Sequence, residues 1–237
     1  MPDTRSDKSP TTETSSRRPV NKERANSRGD ATRQLLLTIA EQLFAERGIA
    51  AVPLRDIGVA AGQKNHAVVQ YHFGDRGSLV REIVAFRATV GEDRRVAMFA
   101  DLVKRGQPQV SELVRVFAFP LASHLDEGNH YLAFMSRYIL EHGGYAGLDG
   151  GNSGLDSAGV IPSATISTLR SHLARLLSTL PEEVFEERWM ITLTSTVHTL
   201  ARYQAVSSSA AQLSLPIDVL LEDLVRFLTA GLEAPIG

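Results

Sequence analysis

One short run of side chains in this sequence offers hydrogen-bonding, methyl and aromatic chemistry together: His66, Ala67, Val68, Gln70 and Tyr71. Lys64 and Asn65 precede it, and His72 and Arg76 follow. Amides, imidazoles and phenols donate to or accept from base edges, and small aliphatic groups meet a thymine methyl. Cations beside them suit phosphates. The chemistry on offer is recognition in a DNA groove rather than the making of bonds. A surface helix with no such task more commonly carries strong helix formers such as Lys and Glu.

The residues around this run predict the elements that must position it. Leu54 to Leu79, LRDIGVAAGQKNHAVVQYHFGDRGSL, predicts two short helices joined by a tight glycine turn. Val52-Pro53 opens the first of them, because a proline's missing N–H costs nothing in a first turn. Leu54, Ile57 and Ala61 face inward there, and Gly62 stops it. Asn65 is placed to cap the next helix, expected over His66 to His72, with Val69 and Phe73 as its inward anchors. Its outward face then holds His66, Ala67, Val68, Gln70 and Tyr71. Gly74-Asp75 restarts the chain, with Asp75 as cap of a further helix and Arg76 in its first turn. A cation there opposes the helix dipole, an opposition that a phosphate would relieve. Upstream, Leu35, Leu36, Ile39, Ala40, Leu43 and Phe44 recur at helical spacing from Asp30 onward, and Gly48 ends that helix.

This pattern, from Arg33 to Ala85, resembles the TetR family of transcriptional regulators. The residues that carry the resemblance are LFAERG at the end of the first helix, LRDIGVAAG in the second, and YHFGDRGSLV joining the third to the fourth. The resemblance implies that Arg55 reaches a base or phosphate at the groove edge and that His66 to Tyr71 supply base readout. It also implies that Tyr71, His72 and Arg76 grip the backbone. On the residues alone, Arg55 is open to pairing with Asp56 and Tyr71 to packing under the first helix. Four features depart from the family pattern. Gln63-Lys64 lengthens the turn by one residue, Pro53 stands where Ser or Thr often caps, and Gly58 and Gly77 replace a usual alanine and a frequent acid. Gly58 costs about 1 kcal/mol of helix stability against alanine unless close packing on the first helix requires it.

Composition bounds the rest. At 237 residues and 43% hydrophobic content, the chain has room for a small domain and a larger one. It has no cysteine, so disulfides, thiolate metal sites and a cysteine nucleophile are excluded, as suits a reducing cytosol. No apolar run reaches the roughly 18 residues of a membrane span, and the Pro-, Ser-, Thr- and Arg-rich start lacks a signal-peptide core. A cytoplasmic protein away from membranes is expected. Residues 1–87 hold 14 Lys and Arg against 10 acids, whereas 88–237 hold 11 against 17. A positive end joined to an acidic remainder fits a protein that sets one end against phosphate.

Residues 1–29 lack apolar periodicity and are expected to form a disordered arm, and 30–80 a helix-turn-helix domain. Residues 81–237 read as a larger helical domain for ligand binding and dimerisation. Apolar positions predict helices over 79–105, 110–123, 130–142, 162–180, 182–208 and 216–231. Between the third and fourth of these, residues 143–159 hold seven glycines and read as a long loop. The whole is an all-α chain.

In family terms the last two helices make a homodimer. The stripe Trp189, Leu193, Val197, Leu200 and Tyr203 suits either a dimer surface or monomer core. Phe99, Phe117, Phe134, Met135, Tyr138, His142 and Trp189 are candidates to line an effector pocket, with Glu141 or His142 as a polar handle. HExxH, GxSxG, GxxxxGK[ST] and i,i+4 histidine pairs are absent, so no metal, cofactor or enzymatic activity is expected. The reading is a ligand-responsive repressor that binds a palindromic operator on double-stranded DNA as a homodimer. The alternatives are an activator of the same fold, and a helical ligand-binding or scaffold protein whose N-terminal bundle contacts another protein.

Overall fold

A computed structural model describes residues 20–65, 67–125, 128–142, 164–209 and 211–236, with side chains from Gly29 onward. The glycine-rich 143–159 segment and residues 1–19 of the expected arm lie outside the described residues. Nine α-helices and one 3-10 turn occur among the described residues, without strands. They are α1 (Val20–Arg47), α2 (Leu54–Ala60), α3 (Val68–Phe73), α4 (Arg76–Arg105), α5 (Val110–Ala122), α6 (Tyr131–His142), α7 (Ala164–Leu176), α8 (Glu182–Ser207) and α9 (Ile217–Glu233). The 3-10 turn, Ser123–Leu125, follows α5. The fold class is all-α, as expected. α1 begins ten residues before Asp30, so the end of the expected arm is helical.

The chain divides into two units, Met1–Gln34 and Leu35–Gly237. The first holds the N-terminal part of α1. The second holds everything from Leu35 onward.

Within Leu35–Gly237, α5 is the central helix, packing against α4, α7 and α9. Its sequence explains this, because Val110, Leu113, Val114, Val116, Phe117, Ala118, Leu121 and Ala122 are buried around most of its circumference. Gln109 and Glu112 start it with a reciprocal capping box, the Gln109 amide donating to Glu112 Oε2 at 2.9 Å. α4 reaches α5 at Gly91, where a Cβ would lie 2.9 Å from the Pro120 carbonyl oxygen. Only glycine lets these backbones come so close.

α8 packs on α6 and α9. Trp189, Leu193, Val197, Leu200 and Tyr203 are all buried in it, so this stripe is the protomer's own core and not a dimer surface. α9 is amphipathic, burying Leu221, Leu224, Val225, Leu228 and Leu232 at steps of three and four.

Candidate nucleic-acid interface

α2, α3 and the start of α4 build the site. Pro53 precedes α2 with φ −65° and ψ 139°, and its carbonyl accepts the Asp56 amide at 3.0 Å. At the other end Gly62 takes the left-handed φ of +67°, and the Gln63 amide returns to the Gly58 carbonyl at 2.9 Å. The Asn65 carboxamide then accepts from the Ala67 amide at 3.0 Å, and the Asn65 carbonyl accepts from Val68 N–H at 3.2 Å. Asn65 thus organises the turn into α3, which starts two residues later than expected. His66 lies outside the described residues.

Val69 and Phe73 are buried and anchor α3, as their four-residue spacing predicts. Ala67, Gln70 and Tyr71 face solvent, Tyr71 with 83% of its surface exposed and its ring edge-on to His72 at 5.2 Å. Val68 is a correction to the expected outward face. It is only 8% exposed, because α3 packs across α2 at Gly58, where a Cβ would sit 3.2 Å from Val68 Cγ1. Gly58 therefore makes room for α3, not for the first helix.

Asp75 caps α4 as expected, accepting from Ser78 N–H at 2.7 Å. That backbone bond holds its carboxyl below the ordinary carboxylate value. Arg76 turns to the protein, its guanidinium donating to the Ile49 carbonyl. Arg55, the groove-edge candidate, and Lys64 are exposed. Arg55 lies 3.4 Å from Asp56 Oδ1, a solvated pair of little energetic weight.

The exposed amide of Gln70 and phenol of Tyr71 thus stand on a short helix, behind a glycine turn and a supporting helix. Residues 36–83 match the family model described as bacterial regulatory proteins, tetR family. Over that segment the chain is similar to the tetR family. The matched segment holds α2 and α3, arranged as a helix-turn-helix. Among solved structures, it is similar to a candidate TetR-family transcriptional regulator from Mesorhizobium loti MAFF303099. That similarity has 15% identity over 87% of this chain and 96% of the other, with a TM-score of 0.41. No curated protein matches the chain.

The candidate effector residues separate in the structure. Phe117, Phe134, Met135, Tyr138 and Trp189 are buried, with Phe117 against Trp189 and Phe134 against Phe44. The exposed His142 lies parallel to Tyr138, ring centroids 4.3 Å apart. Phe99 instead lines a cavity of about 230 Å³ with Val96, Ala100, Thr165 and Thr168. Glu141, expected as a pocket handle, points to the turn after α1 and accepts the Ile49 and Ala50 amides.

Sequence reasoning missed a buried carboxylate. Glu41 on α1 is 1% exposed and accepts from Arg87 Nε at 2.6 Å and Arg87 Nη2 at 3.0 Å. It also accepts the His130 amide at 2.9 Å. A glutamate inside the apolar run Leu36 to Phe44 was the available signal.

Proposed function

We propose that this regulator is a homodimeric repressor that reads a palindromic operator with α3 and releases it when a small molecule binds the part of the chain beyond residue 80. The observation that carries the reading is the exposed Ala67, Gln70 and Tyr71 surface on a helix anchored by Val69 and Phe73. A helix about 10–12 Å across with its side chains fits a major groove roughly 12 Å wide. Gln70 and Tyr71 meet base edges, while Lys64 and Arg55 meet phosphates or the groove edge. Asn65 shapes the turn that presents them. His72 supports Tyr71 and completes the backbone grip, while Arg76, expected in that grip, instead braces the turn before α2 through the Ile49 carbonyl.

Dimerisation is supported by apolar groups left outside the protomer core on α8 and α9. Phe227 is 72% exposed, and Ile191, Ile217 and Val219 are exposed with it. Reading a palindrome requires the two α3 helices of such a dimer to stand about 34–36 Å apart, one turn of DNA. An effector that favours a different spacing lowers DNA affinity through its differential binding to the two states. Phe99 and its cavity are the proposed entry to that site. The protein acts by binding alone, in the cytoplasm, without a catalytic step. Among the described residues no helix is long and apolar enough to cross a membrane.

The test is binding to fragments from upstream of its own and neighbouring genes at graded salt. Affinity should fall linearly against the logarithm of salt as phosphate contacts release counterions. Failure to bind any genomic fragment overturns the proposal.

A further inference from the structure

Four points along the end of α1 and the turn after it are held by α6 and the residue before it. The His130 amide donates to Glu41 Oε1 at 2.9 Å. Phe134 stacks on Phe44, ring centroids 6.3 Å apart. Arg137 Nε donates to the Ala45 carbonyl at 3.3 Å. Glu141 accepts Ile49 N–H on Oε1 at 2.8 Å and Ala50 N–H on Oε2 at 2.9 Å. The partners advance in the same order on both segments, so α6 runs parallel to α1 and ends on the turn into α2.

That turn is gripped from both sides. Ile49 gives its N–H to an acid from α6, and its carbonyl accepts from Arg76 at the start of α4. Gly48 has a φ of +93°, and a Cβ on it would lie 2.7 Å from Glu141 Oε1. Glycine therefore serves twice, allowing the left-handed turn and leaving space for the carboxylate.

We infer that Glu141 is a positioning residue for DNA binding, which holds the α1–α2 turn and thereby sets the direction in which α2 and α3 are presented. The inference rests on the DNA-reading role of α3. Glu141 touches no DNA itself. The reading head accordingly extends through the last turn of α6. An ionised carboxylate across two successive amides makes two charge-assisted bonds, whereas glutamine offers one acceptor and turns an N–H toward a donor.

The experiment uses the full chain as Glu141→Ala, Glu141→Gln, Gly48→Ala and the Gly48→Ala/Glu141→Ala double variant. The probe is a duplex that the wild type enriches from a random pool. Glu141→Ala should raise the Kd about tenfold, with Glu141→Gln between it and wild type, since charge-assisted bonds are lost in full or in part. The salt slope should stay unchanged because no phosphate contact is lost. Amide hydrogen exchange at Ile49 and Ala50 should accelerate while that in α9 does not. Gly48→Ala should weaken binding more in the wild-type background than beside Glu141→Ala, where the clash is gone.

Glu141→Ala binding within about twofold of wild type, below the worth of one hydrogen bond, overturns the inference. A reduced salt slope does so too, as does an equal cost of Gly48→Ala in both backgrounds. If Glu141→Ala does not fold, Glu141→Gln decides through the same Kd and exchange measurements. A wild type that enriches no duplex overturns the DNA-binding reading itself, a result distinct from equal binding by wild type and variant.

Discussion

Replacing Glu41 with alanine should cost about 4 kcal/mol of stability, far more than its single negative charge suggests. The carboxylate is the acceptor for two nitrogens of Arg87, and Arg87 is only 13% exposed. Removing it strands a guanidinium in a poorly hydrated position, and breaking a buried pair this way costs about 3–5 kcal/mol. The His130 amide is orphaned at the same time, a loss worth about 1–3 kcal/mol in isolation. The two overlap because they share one carboxylate, so they do not add in full. For a chain of this length about 4 kcal/mol lowers Tm by roughly 8–16 °C. The assay is equilibrium urea unfolding followed by the fluorescence of Trp189, the only tryptophan, alongside circular dichroism. A companion variant with methionine at both 41 and 87 should be closer to wild type than Glu41→Ala, since an apolar pair leaves no charge unpaired. A loss under about 1 kcal/mol for Glu41→Ala, no more than one ordinary hydrogen bond, refutes the reasoning. So does a double variant less stable than the single one.

Three further outcomes follow from packing and charge. Gly91→Ala would set a Cβ 2.9 Å from the Pro120 carbonyl oxygen, so α4 and α5 must separate. Overpacking of this kind costs about 1–3 kcal/mol in thermal or urea unfolding. Burial, and then Arg175, hold the His172 imidazole below its ordinary value of 6.5. Its charged form is thus disfavoured in the fold, and stability should be lost as pH falls from 6.5 through the lower folded value. His172→Gln should flatten that part of the stability curve, and an unchanged slope would exclude the assignment. Phe227→Asp, on the exposed face of α9, should shift sedimentation from dimer to monomer while leaving the helical circular dichroism of the protomer intact.

How much was legible in the sequence depended on the range of the interaction. Gly48, Gly62 and Asp75 could be read as helix punctuation because their partners lie within a few residues, and all three perform that role. The anchors Val69 and Phe73 were legible from periodicity for the same reason. Val68 was not, because its burial follows from the late start of α3 and the missing side chain at Gly58. Glu41 and Glu141 were illegible for a more general reason. Glu41 meets Arg87 46 residues away, and Glu141 meets Ile49 92 residues away, so no local pattern announces either. The stripe from Trp189 to Tyr203 was ambiguous because helical spacing shows that a face is apolar, not which surface covers it. The long-range contacts resolved it as core.

The most direct test of the proposed DNA-reading face compares sequences enriched from a random duplex pool by the wild type and by Tyr71→Ala. Tyr71 is mostly exposed, so its removal should leave folding stability unchanged. The account predicts that the wild type enriches an inverted repeat, and that Tyr71→Ala loses preference within each half-site while keeping the wild-type salt slope. The same repeat enriched to the same degree by both proteins would contradict it.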